Sequence, residues 1–232
     1  MKNSVITTGG MMVSLLLLVS CAPSAKSPRP QTAPTGLHFA TGPADGATLA
    51  LESAQSVLSA KAPIKKADGT APTVRVSPPV ATFEINLDDV APGKGLINAK
   101  ATGAHSYLVS APGAESMDVS VISDPTGKSQ ATGVGMGYGS YALEIAHTKL
   151  AGLKEVAAGS YEVRLVNQPP GLPMFLWLKS ISDENDLIYP VLWVHADMFK
   201  GKFQEKLYPV ADFLKIYRPM VKDSSTSMMS GP

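Results

Sequence analysis

From Thr73 onward the chain is a series of short runs in which apolar and polar residues alternate, interrupted by proline, glycine and acidic residues. This pattern limits the fold more than any other feature, because a period of two puts every second side chain on one face of a strand. Val74 and Val76 alternate with Arg75 and Ser77, and Phe83, Ile85 and Leu87 with Glu84 and Asn86. Leu96 to Lys100 and Tyr107 to Val109 read as the next short strands. Met117, Val119 and Val121 alternate with Asp118 and Ser120, Tyr141, Leu143 and Ile145 with Ala142 and Glu144, and Tyr161, Val163 and Leu165 with Glu162 and Arg164. Asp124, Pro125, Thr126 and Gly127 supply what a tight hairpin turn requires, an early fixed φ and a late positive one. The succession predicts a mainly β domain over residues 73–221, an antiparallel β-sandwich of the immunoglobulin-like or jelly-roll-like kind. A charged fraction of only 17%, with 20 glycines and 19 prolines, agrees.

Two dense apolar runs, Met174 to Leu178 and Leu187 to Val194, suit central strands, although Pro190 weakens the second. Helices are expected only near the two ends. Residues 36–72 form a poorly defined segment in which Leu51, Ala54 and Leu58 recur at helical spacing. Phe199, Phe203 and Leu207, then Val210, Phe213, Leu214 and Tyr217, suggest two short helices broken at Pro209 and ended by Pro219. The polar tail, residues 222–232, reads as disordered.

Three stretches carry a family resemblance. Tyr107 to Gly113, Met117 to Lys128 and Ala158 to Leu165 look like the pre-peptidase C-terminal type of bacterial β-sandwich, with its "Pro-Ala-Gly"-like loop, its "Asp-Pro-x-Gly" turn and its closing "Gly-x-Tyr-x-Val-x-Leu" strand. The resemblance implies a non-catalytic module attached to secreted or surface proteins. It also implies, in some members, calcium held by acidic residues, for which the strand here offers Asp118 alone.

The first residues read as an export signal. Lys2 is a short positive region and Met11 to Val19 an apolar run too short to span a bilayer. Leu18, Val19, Ser20 and Cys21 resemble the lipobox of bacterial lipoproteins, which implies cleavage after residue 20 and acylation of Cys21, the chain's single cysteine. Lipoproteins of this kind carry three acyl chains, and stable anchoring needs more than one. Ala22 at the position after the cysteine, where the family's retention signal is aspartate, implies the outer membrane, periplasmic face. Residues 21–35, rich in proline, serine and alanine, read as a flexible tether that would reach roughly 40 Å.

Cleavage removes one basic residue, Lys2, from the chain's 20, leaving 19 against 19 acidic ones. A balanced chain has no field to draw nucleic acid, so that class of partner is excluded. Gly133, Gly135, Gly137 and Gly139 alternate, but the sixth position from Gly133 is Tyr138, so the dinucleotide fingerprint fails and a bulged strand or surface loop is expected. His38, His105, His147 and His195 stand at least 42 residues apart, without paired metal-ligand spacing. Asp183, Glu184 and Asp186 lack the glycine of a calcium loop.

No catalytic residue, metal ligand or cofactor is therefore assigned. The expectation is a lipid-anchored module that binds another envelope component, with an envelope protein as partner. A glycan or lipid bound by the aromatic C-terminal third, through Trp177, Tyr189 and Trp193, is the alternative. A hydrolase with a composite site is the second alternative.

Overall fold

The computed structural model of the chain describes residues 36–61, 74–85, 90, 96–168, 172–182, 185–192, 199 and 201–229. The export signal, Cys21, the tether, Asp183, Glu184, Trp193 and His195 lie outside the described residues.

Among the described residues, ten strands join in one sheet: β1 Gly36–His38, β2 Arg75–Val76, β3 Val80–Glu84, β4 Lys100–Ser110, β5 Met117–Ser123, β6 Ser129–Gly135, β7 Ser160–Asn167, β8 Phe175–Ser180, β9 Leu187–Pro190 and β10 Tyr208–Pro209. Their order is β10-β9-β8-β7-β3-β4-β5-β6, with β1 beside β7 and β2 beside β4. The helices that pack on the sheet are α1 Gly46–Lys61, α2 Tyr138–Glu144, α3 Lys154–Ala157 and α4 Val210–Met229.

The chain is thus mainly β with a mixed sheet and a few helices, and the wholly antiparallel sandwich expected from strand spacing does not hold. Alternation tells which face of a strand is buried but not which neighbour the strand pairs with. Here β7 accepts two parallel neighbours along its length, β1 at Ser160–Glu162 and β3 at Arg164–Asn167. The expected hairpin is present: β5 and β6 pair antiparallel, and Asp124 Oδ1 accepts from Thr126 N (2.8 Å), Thr126 Oγ1 (2.6 Å) and Lys128 N (3.0 Å) while Gly127 takes φ +85°.

The central strands are apolar on both faces because both faces are covered. Phe175 and Trp177 of β8 join Val166, Ile188, Phe203, Tyr208 and the α4 residues Phe213, Leu214 and Tyr217 in one core. Leu176 and Leu178 point the other way, with Val163, Leu165 and Tyr189, against Leu143, Ala146 and Leu150. Side chains this deeply buried each contribute roughly 1.5–3 kcal/mol of transfer free energy. A third core sets Ala50 and Ala54 of α1 on Tyr107, Val109, Met117, Val119 and Val121.

Several elements differ from the sequence expectation. Residues 141–145, expected as a strand, are helical, because Leu143, Ala146 and Leu150 also follow the i, i+3, i+7 spacing and bury that face. Residues 100–110 form one long strand instead of two short ones. In α1 the buried stripe is Gly46, Ala50 and Ala54, and Leu51 is only half-buried, so small side chains decide the contact face. A Cβ on Gly46 would lie 2.1 Å from Tyr107 Oη, which shows how closely the helix approaches the sheet.

At the C-terminal end, residues 203–207 are not helical, and α4 runs through Pro219 to Met229 instead of ending there. Proline removes the N–H that would meet the Lys215 carbonyl. Lys215 and Pro219 both face solvent, where water can take over that carbonyl, while Tyr217, Met220 and Val221 anchor the turn in the core.

Candidate functional site

A cleft of ≈ 420 Å³ opens beside β9 and β10. It is lined by Lys149, Leu153, Glu155, Leu187, Tyr189, Glu205, Lys206, Leu207 and Pro209, and three separate parts of the chain build it. Strands β9 and β10 give Leu187, Tyr189 and Pro209. The bend before β10 gives Glu205, Lys206 and Leu207. The third wall comes from the segment after α2.

That segment is unusual. Beyond Glu144 the helix widens into a π turn at Ile145–Lys149, with the Leu150 N–H reaching the Ile145 carbonyl. One residue extra per turn rotates the later side chains by roughly 100° relative to a regular helix. Leu150 is buried at 0% exposure while its neighbour Lys149 stands in the cleft. Tyr138 fixes the start of the same helix, since its hydroxyl donates to Val191 O (2.5 Å) and accepts from Met174 N (2.9 Å). Burial pushes that phenol up to about 12, so it stays protonated.

Glu205 is the hub of the polar network. Its carboxylate accepts from the Tyr141 hydroxyl (3.2 Å to either oxygen), from Lys149 Nζ (3.3 Å) and from the Leu192 N–H (3.2 Å). The ion pair itself is modest, because Lys149 is 46% exposed and Glu205 23%, a setting in which such pairs contribute about 1 kcal/mol or less. Its consequence is chemical: Glu205 already accepts from three donors, whereas Lys149 keeps donor capacity.

Tyr189 forms the floor. It is 0% exposed, and its hydroxyl meets no hydrogen-bond partner. Lys149 Nζ lies over the ring, 5.2 Å from its centroid. The hydroxyl is near enough to favour the charged ammonium, with Glu205 adding to the effect, yet the two do not meet in hydrogen-bonding geometry. Burial raises the Tyr189 phenol above its ordinary range, with Lys149 pulling the other way. At neutral pH the floor therefore offers a neutral O–H donor beneath a cation, and no phenolate nucleophile.

The sequence-proposed ligand residues divide. Tyr189 lies in the cleft, but offers its hydroxyl rather than an open ring face. Trp177 is core at 2% exposure: its indole N–H donates to Asp186 Oδ2 (3.0 Å) and its face is covered by Arg164 at 4.7 Å, which also lies 4.6 Å over the Phe83 ring. A sugar has no access to that face. Trp193 and Cys21 lie outside the described residues. Asp186 also accepts from Lys179 Nζ (3.0 Å) and Ser180 N (2.9 Å), which makes it a structural carboxylate.

The glycine run has a structural use. A Cβ on Gly135 would lie 2.6 Å from Asp118 Oδ1, and one on Gly139 2.7 Å from Asp118 Cγ, so these two glycines make room for the carboxylate. The expected bulge is present too, where β5 and β6 slip between Ser120 and Val121. Asp118 is turned toward the Ser140 N–H at the start of α2, and burial raises its pKa. Among the described residues no cluster of three or more His, Cys, Asp or Glu side chains could hold a metal ion. No described helix is long and apolar enough to cross a membrane.

Lys149, Glu205 and Tyr141 escaped sequence reasoning. They share no local motif, and Glu205 stands 56 and 64 residues from the other two. No family model, curated protein or solved structure matches the chain.

Proposed function

We propose that this chain is a lipid-anchored protein of the bacterial periplasm, held to the outer membrane through Cys21, that acts by binding an envelope component in the cleft above Tyr189. The anchor rests on the apolar run at Met11 to Val19 and the lipobox-like residues that precede Cys21. The observation that carries the binding reading is the Tyr189 hydroxyl, wholly buried and unpartnered at a cleft of ≈ 420 Å³. A buried polar group without a partner costs about 1–3 kcal/mol, so its retention points to a ligand that completes it.

A second reading, docking of another envelope protein, draws on β6. It is the last strand of the sheet path, and its Val134 is 37% exposed. One experiment separates the two: a photo-crosslinking residue placed at Leu207 or at Val134 of the full chain in cells, with Cys21→Ala as the control. Small-molecule adducts at Leu207 that vanish in the control support the cleft reading. A protein adduct confined to Val134 supports the second, and a Leu207 site that captures nothing overturns the first.

A further inference from the structure

We infer that the cleft ligand is a single-chain amphiphile with an anionic head, the head seated between Lys149 Nζ and the Tyr189 hydroxyl and the aliphatic body against Leu153, Leu187, Leu207 and Pro209. This inference rests on the cleft reading above and specifies its ligand. Four features carry it.

The unfilled positions at the floor are donors. Tyr189 presents an O–H with no acceptor, and Lys149 presents an ammonium of which one donor is used by Glu205. An anionic oxygen satisfies both at once, and charge-assisted bonds of this kind are the stronger class. The nearby carboxylate does not compete, because Glu205 is held by Tyr141, Lys149 and the Leu192 N–H.

Leu153, Leu187, Leu207 and Pro209 give the walls aliphatic surface, and among the described residues the one aromatic ring that lines the cleft, Tyr189, is covered by Lys149. Stacking on a sugar is therefore not offered, whereas a methylene chain gains about 25 cal/mol for each Å² it removes from water. At the rim, Lys206 adds a second cation, 5.1 Å over the Tyr208 ring, and the exposed Glu155 is left to solvent screening. Fatty carboxylates and alkyl phosphates share the required chemistry.

The test is a calorimetric titration of the full acylated chain in lipid nanodiscs, with empty nanodiscs subtracted, using octanoate, octyl phosphate, octanol and octylammonium. One-to-one binding of octanoate or octyl phosphate is expected, with octanol and octylammonium at least about tenfold weaker, and whichever anion binds tighter identifies the head. Tyr189→Phe is expected to weaken the anion about tenfold. Lys149→Met, at a half-exposed position that does not threaten folding, is expected to erase the preference for anion over octanol. Equal binding of octanol and octanoate overturns the head-group assignment while leaving a binding cleft. A Tyr189→Phe protein that melts like the parent and binds octanoate equally well overturns it too. Failure of all four probes, in a protein whose Leu207 crosslinks an adduct in cells, overturns the amphiphile inference alone.

Discussion

The carboxylate of Asp118 occupies the place a side chain at Gly139 would take, 2.7 Å from the Cβ built there, and a Cβ on Gly135 would be just as close at 2.6 Å. Gly133, in the same alternating run, has nothing within 4 Å. Gly135→Ala and Gly139→Ala are therefore expected to destabilise the chain by about 1–3 kcal/mol, the usual range for overpacking, and Gly133→Ala to be close to neutral. Denaturant unfolding checks this. Pairing either alanine with Asp118→Ala should restore part of the loss, a non-additivity that a double-mutant cycle reads directly.

Helix α1 is crowded against the sheet in the same way. Gly46→Ala would set a methyl 2.1 Å from Tyr107 Oη and is expected to cost about 1–3 kcal/mol. Tyr107→Phe in the same chain removes the nearer of two crowded atoms and leaves the ring carbon Cζ at 2.8 Å. Thermal unfolding of the double variant should recover part of the loss in Tm.

Two histidines make the fold acid-sensitive. His147 stacks on Phe39 at 4.3 Å, its Nε2 is buried without a partner, and burial lowers its pKa, with the Pro78 carbonyl opposing. His105 is lowered by burial as well, its Nδ1 unpartnered and the Gly103 backbone opposing. A histidine whose folded pKa is depressed gives stability that is present above the unfolded pKa near 6.5 and is lost as pH falls from there toward the folded pKa. Unfolding free energies at successive pH values from 7.5 to 5 are thus expected to decline. His147→Phe, which keeps the stack and cannot titrate, should flatten that decline. An unchanged slope would remove His147 as a cause.

Much of the fold was legible where local chemistry decides it. The Asp124 to Gly127 turn, the β7 alternation of Tyr161, Val163 and Leu165, and the central placement of β8 are all dictated by residues close in sequence. Pairing was not legible, because nothing in β7 announces that β1 and β3 run parallel beside it. The helix at Tyr138–Glu144 was missed because its side chains satisfy a period of two and a helical period over the same few residues. The site was half legible. Tyr189 belongs to an aromatic-rich region that attracts attention, whereas Lys149 reaches it through a π turn and Glu205 through a bend, neither with a sequence signature.

One hydroxyl that folding leaves unpaired, that of Tyr189, decides between a ligand site and an ordinary surface cleft. Tyr189→Phe removes it together with its influence on the Lys149 ammonium, so the parent and the variant should be compared for chemical unfolding and for octanoate binding in the same preparations. The expected result has opposite signs: the variant is more stable by about 1 kcal/mol, since an unsatisfied buried group is gone, and binds about tenfold more weakly. A variant that is less stable and binds octanoate as the parent does would contradict the claim that this hydroxyl is kept for a ligand.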